Sequence, residues 1–179
     1  MHRIFSTRQR VKILKSMIFN TEKISVNSTS RNTGLSKGLV SKYFKILTKL
    51  GVLTRTDGKL TVSDSSITKG IKILLNIESI DIQLFRNFPF VESVGLYGSC
   101  AKGENNTDSD IDIWIKIKTT SDENLASLSS VIHRNLENSK IVFVTVEKIR
   151  KMRDEDELFY HSLVFGSIVL LGDENGIQI

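Results

Sequence analysis

The chain has 179 residues, 40% of them hydrophobic and 25% charged, with a single proline: a globular protein of one ordinary domain or two small ones. No apolar run approaches the ~18 residues of a membrane span, Met1-His2-Arg3-Ile4-Phe5-Ser6 lacks a signal peptide's apolar core, and the lone Cys100 excludes a disulfide framework and a cysteine zinc site, so a cytoplasmic protein without a membrane partner is expected. The net charge of +5 is unevenly spread, with 15 Lys+Arg against 3 Asp+Glu in residues 1–72 (+12) and 10 against 17 in residues 73–179 (−7), which argues for two modules with different partners.

In chain order, Ser6 with Gln9 three residues later reads as a capping box opening a first helix, whose apolar face carries Val11, Leu14, Met17 and Ile18. A polar helix spans Val26 to Thr33 and stops at Gly34. Ser36 caps a third helix with Val40, Phe44, Leu47 and Leu50 on its core side and Gly51 at its end. Val52–Thr56 and Lys59–Val62 flank Asp57-Gly58, a tight-hairpin signal.

Helix, helix, turn, helix and hairpin in this order resembles the winged helix-turn-helix family over residues 6–64. The resemblance implies duplex DNA as a partner, met by the third helix in the major groove. Ser36, Lys37, Gly38 and Ser41, near that helix's start, are the candidates for base edges. Lys42, Lys45 and Lys49 on the helix, with Arg55 and Lys59 on the hairpin, are candidates for phosphate. Winged helices that dock proteins or RNA are the alternative.

Residues 67–90 read as a helical connector, with Ile71, Leu74, Leu75 and Ile77 along Thr68–Ile77, then Leu84, Phe85, Phe88 and Phe90. The expected domains are 1–66, the connector 67–90, and 91–179.

In the last of these, Val91–Tyr97 forms a strand that delivers Gly98-Ser99, and Asp110 and Asp112 follow inside the apolar run Ile111-Asp112-Ile113-Trp114-Ile115. Side chains alternate along a strand, so the two aspartates share one face. Adjacent carboxylates repel unless a cation lies between them, and oxygen ligands of this kind suit Mg²⁺ with a polyphosphate. A Gly-Ser turn at a helix start presents N–H groups and a hydroxyl to an anion. Gly98, Ser99, Lys102, Gly103 and Ser109 are the candidate phosphate-binding residues, and Asp110 and Asp112 the candidate metal ligands and catalytic residues. Trp114, on the aspartates' face, either stacks a base or covers the sheet.

Gly-Ser-x-Ala-x-Gly, five residues, then Ser-Asp-Ile-Asp-hydrophobic resembles the signature of the DNA polymerase beta-like nucleotidyltransferases, the minimal members above all, over residues 90–172. The expected fold is therefore α+β: a winged helix followed by a mixed sheet with flanking helices. The resemblance implies transfer of a nucleoside monophosphate from a triphosphate such as ATP to a hydroxyl, with two Mg²⁺ or Mn²⁺ ions. It also implies a protein partner, such as a helical toxin-like protein, or a homodimer.

The family adds a third acid from the strand after an intervening helix. Here that helix starts at Ser121 and carries Leu125, Leu128, Ile132 and Leu136, and the strand is Lys140–Glu147. By pattern the acid falls at Val142, which binds no metal. Glu147 is the first substitute, although its odd offset requires a bulge or an early strand end. The second reading is a DNA-binding regulator that senses nucleotide without turning it over. Asp154–Glu157 reads as the acidic start of a helix ending at Gly166, and Ser167–Leu171 as a final strand. His133 and His161 carry no catalytic expectation.

Overall fold

The computed structural model describes residues 3–56, 58–173 and 177. Met1, His2 and Asp57 of the expected hairpin turn lie outside them. Among the described residues no helix is long and apolar enough to cross a membrane. The chain divides into two compact units, Met1–Leu75 with Asn105–Asp108, and Asn76–Glu104 with Ser109–Ile179.

The first unit contains helices α1 (Arg8–Lys15), α2 (Val26–Thr33) and α3 (Lys37–Lys49) and strands β1 (Leu53–Thr56) and β2 (Lys59–Val62). Thr7 caps α1, not Ser6: its side chain accepts the Arg10 N–H at 3.2 Å, while the Ser6 hydroxyl accepts from the Arg10 guanidinium at 2.7 Å. The other local signals hold. Ser25 and Ser36 cap α2 and α3, and α2 ends at Gly34 in the left-handed region, φ 68°. Strands β1 and β2 pair antiparallel, Leu53 with Val62 and Thr56 with Lys59. Ile13, Leu14, Met17, Ile18, Val40, Tyr43, Phe44 and Leu47 build the core, with Val11 and Leu50 only half-buried. Helix α4 (Ser66–Ser79) begins in this unit and adds Ile71 and Leu75 to that core.

The second unit follows with α5 (Gln83–Arg86), β3 (Val91–Tyr97), α6 (Gly98–Lys102), β4 (Ile111–Ile117), α7 (Asp122–Asn135), β5 (Ser139–Val144), α8 (Val146–Glu155), α9 (Glu157–Gly166) and β6 (Ile168–Leu171). Its mixed sheet runs β5-β4-β3-β6. Strand β3 pairs antiparallel with β4 and β6, whereas β4 and β5 are parallel and joined by α7, because a parallel pair needs a long crossover.

Two features of the C-terminal part depart from expectation. Strand β5 stops at Val144, since the Thr145 side chain accepts the Lys148 N–H and caps α8; Glu147 is therefore helical. The acidic run straddles a break: Asp154 and Glu155 end α8, and the Asp156 carboxylate caps α9 by accepting from Phe159.

Ile113 and Ile115 pack with Phe85, Leu128, Ile132 and Leu136 on one face of the sheet. Trp114 and Val144 pack with Ile149, Tyr160 and Leu163 on the other. Trp114 is fully buried, its indole N–H donates to Ser167 Oγ at 2.9 Å, and it covers the sheet; no base can stack on it. Gly95 lies opposite it, where any Cβ would collide with the indole. Gly95→Ala is therefore expected to cost about 1–3 kcal/mol through overpacking. Thermal or urea unfolding followed by fluorescence of Trp114, the chain's single tryptophan, reads this directly; an unchanged midpoint contradicts the packing described.

Candidate functional site

The sheet positions the expected site from two adjacent strands. Tyr97, the last residue of β3, lies directly opposite Asp112, so the Gly98-Ser99 turn emerges beside that carboxylate. Gly98 has φ 68°, and a Cβ there would run into Asp112 Oδ2; only glycine meets both demands. Gly103 ends α6, also at φ 68°.

Asp110 immediately precedes β4, and its backbone carbonyl accepts from the buried Cys100 thiol at 3.3 Å. Burial, with the Asp112 charge adding, pushes that thiol up to about 11, so it is neutral at physiological pH. Ser99 is half-buried at the start of α6, Lys102 is exposed at its end, and Ser109 is half-buried beside Asp110.

Asp112 and Trp114 share a face with Lys140, Val142 and Val144 of β5. Helices α8 and α9 close that face over Trp114 and Val144, while the aspartates remain half-buried at its open end.

The strand register locates the two positions considered for a third acid. Val142 pairs with Trp114, and the β5 residue beside Asp112 is Lys140. Its Nζ lies 2.6 Å from Asp110 Oδ2. Glu147 lies at the wrong end of the strand. Val144 already pairs with Lys116, four residues or roughly 13 Å beyond Asp112, and Glu147 follows in the first turn of α8. Lys140 is the site residue that sequence reasoning missed. Its signal was a basic residue at the start of the strand after the crossover helix, which becomes legible only once the parallel register is fixed.

The donor set fits a divalent ion carried by a polyphosphate. Burial, only partly offset by attraction from Lys140 and reinforced by repulsion from Asp110, holds the Asp112 carboxyl above its ordinary value of 3.8. Among the described residues no group of three or more His, Cys, Asp and Glu side chains could hold a metal. Asp110 and Asp112 would thus supply the protein ligands, with phosphate and water completing the shell.

A family model described as Polymerase beta, Nucleotidyltransferase matches residues 80–170. The chain belongs to this nucleotidyltransferase family. No curated protein matches the chain. Among solved structures, a toxin-antitoxin crystallised with AMP-PNP is 22% identical, with 57% of this chain and 78% of that chain covered and a TM-score of 0.41. A mutant of the toxin-antitoxin MntA-HpeT is 23% identical over 54% of this chain and 73% of that chain, with a TM-score of 0.38. The tri-AMPylated Shewanella oneidensis HEPN toxin in complex with MNT antitoxin gives 21% identity over 57% and 74%, with a TM-score of 0.35.

The first unit presents the expected nucleic-acid candidates on its surface. Ser36, Lys37, Lys42, Lys45, Lys49, Arg55 and Lys59 are exposed and Ser41 is half-buried. A groove of about 390 Å³ is lined by Ser41, Lys45, Thr48, Lys49 and Arg55 together with Val26, Phe44 and Leu60. Lys23 beside Lys59 holds that ammonium below the ordinary lysine value. His133 pairs with Ser139 Oγ at 3.0 Å, and His161 with Glu157 at 3.3 Å.

The raised Asp112 carboxyl sets a pH dependence. The folded state binds its proton more tightly than the unfolded chain, so stability falls as pH rises from 3.8 through the raised value, and the ionised form is a net cost at neutral pH. Asp112→Asn is expected to melt at a higher temperature than wild type at pH 7, with the gain shrinking toward pH 4. Calorimetry across that range checks it; a lower melting temperature at pH 7 speaks against a carboxylate destabilised by burial.

Proposed function

We propose that this family member is a divalent-metal-dependent enzyme that transfers a nucleoside monophosphate from a triphosphate, ATP being the expected donor, to a hydroxyl group. The observation that carries the reading is the packing of Gly98 against Asp112, with Asp110 beside it on the open end of one sheet face. Asp110 and Asp112 would hold Mg²⁺ or Mn²⁺, while Gly98, Ser99, Lys102, Gly103 and Ser109 surround the triphosphate. The bound cation would supply charge neutralisation for the triphosphate and for the pyrophosphate that leaves. The acceptor oxygen bonds to the α-phosphorus as the α–β bridge breaks, and catalysis is chiefly positioning. The hydroxyl of an RNA end, a protein side chain or a small molecule fits this chemistry.

The domain division we adopt is 1–66, a connector 67–90, and the transferase domain 91–179. A winged helix in the first is supported by the order α1-α2-α3-β1-β2 and by the exposed lysines of α3, which favour duplex DNA. Exposed Leu158 and Phe165, seven residues apart on α9 and 86% and 79% accessible, support a protein partner. The regulator that senses nucleotide without turnover is favoured by one observation, a valine, Val142, where the family pattern supplies a third acid.

Incubation with Mg²⁺ or Mn²⁺ and each labelled triphosphate, with and without RNA, separates the two readings. Label transfer or pyrophosphate release that Asp110→Ala reduces at least 100-fold, on the order of losing a key electrostatic group, is expected for the enzyme. Metal-dependent nucleotide binding without turnover on any acceptor makes the chain a sensor.

Duplex binding tests the first domain. Three to five phosphate contacts, from the candidates Lys42, Lys45, Lys49, Arg55 and Lys59, predict that affinity falls roughly 40- to 500-fold between about 50 and 200 mM salt. A triple Lys42→Ala, Lys45→Ala, Arg55→Ala variant is expected to flatten that dependence. Absence of binding at low salt retires the DNA partner.

A further inference from the structure

The third carboxylate that the resemblance calls for is absent, since Val142 stands at its position, and two residues earlier on the same face of β5 is Lys140. The parallel pairing places it directly beside Asp112, on the same face, with neighbouring strands about 4.8 Å apart. Its ammonium is 2.6 Å from Asp110 Oδ2, and it is well exposed, with 65% of its side chain accessible. Two consequences follow for the carboxylate pair.

The first concerns donor count. With one Asp110 oxygen engaged by the ammonium, the other Asp110 oxygen and the Asp112 carboxylate remain. Mg²⁺ demands an octahedral shell but takes only one or two carboxylates when phosphates and waters complete it. These donors serve one such ion. A second ion in the same place would have to displace the ammonium and would still lack the carboxylate that the missing acid provides.

The second concerns charge. With the third carboxylate absent and the ammonium present, the protein contributes −1 where three carboxylates would contribute −3. The ammonium is a compact point charge on a flexible four-carbon stem, suited to hold a carboxylate or a phosphate oxygen. Unlike a metal ion, it cannot dissociate.

We propose that Lys140 is a built-in counter-cation that takes the place of one of the two divalent ions, leaving a site that binds nucleotide with a single metal. The proposal rests on the reading of Asp110 and Asp112 as the metal–nucleotide site, and it adds the number of ions and the residue that sets it. Lys140 acts here by charge and position.

Manganese binding tests it on the full chain, with electron paramagnetic resonance of free Mn²⁺ as the readout and a β,γ-imido triphosphate as the nucleotide probe. Lys140→Met removes the charge and keeps the stem; Lys140→Asp puts a third carboxylate beside Asp112. The exposure of this side chain makes both substitutions compatible with folding, and Trp114 fluorescence verifies it. Wild type is expected to take one Mn²⁺ per chain with the probe, and Lys140→Asp two. Without nucleotide, Lys140→Met is expected to bind Mn²⁺ about three- to fivefold more tightly than wild type, the scale of losing one exposed ion pair. Lys140→Asp is expected to gain tenfold or more.

Two ions in wild type, or a count that stays at one in Lys140→Asp, overturns the role of the lysine while leaving the nucleotide site standing. Absence of metal-dependent probe binding in wild type and in both variants overturns the site reading and this proposal together.

Discussion

The antiparallel pairing of β3 with β4 is the constraint on which the second unit depends. It puts Gly95 opposite Trp114 and Tyr97 opposite Asp112, so two glycines of the β3–α6 segment are dictated by what β4 places on that face. Gly95 clears the indole, and Gly98 clears the carboxylate. A one-residue slip would invert every side chain of β4, driving Asp112 into the layer now held by Ile113 and Ile115 and turning those isoleucines outward. Burying an unpaired carboxylate costs far more than a few cross-strand contacts return, so the core itself enforces the register that builds the site.

One face of this sheet serves two purposes along its length. Over Trp114 and Val144 it is closed by α8 and α9, whose Ile149, Tyr160 and Leu163 make a second small core. At Asp110 and Asp112 the cover ends, and the carboxylates keep part of their hydration. The separation is economical in sequence: within one strand, positions two apart pass from charged to fully apolar without a change of face. The first unit solves a similar problem on a helix. Val40, Tyr43, Phe44 and Leu47 take the buried stripe of α3, and Lys37, Lys42, Lys45 and Lys49 fall on the solvent side by periodicity alone.

Features governed by local chemistry were legible in the sequence. The Ser36 cap, the Gly34 and Gly103 stops, the β1–β2 hairpin and the shared face of the two aspartates each need only a few neighbouring residues. The misreadings arose where a distant group cast the deciding vote. Ser6 and Thr7 both have a capping hydroxyl, and the choice fell to Thr7 while the Arg10 side chain engaged Ser6. Thr145 has good strand propensity, yet its side chain caps α8 and ends β5. The fate of Trp114 depended on two helices that follow it by more than thirty residues. The residue beside Asp112 depended on a parallel register that no local pattern encodes, which is why Lys140 went unnoticed.

That register starts at the α7–β5 junction. Asn138 adopts φ 56°, a conformation asparagine tolerates better than most residues, and its carbonyl accepts the Ile111 N–H at 3.0 Å. This bond ties the end of the crossover helix to the start of the strand that carries Asp112. A two-residue insertion or deletion there would present a different β5 side chain to Asp112 while leaving Gly98, Ser99, Asp110 and Asp112 untouched. The electrostatic character of the site can therefore diverge through changes of length in the α7–β5 turn, in chains whose signature motifs read identically.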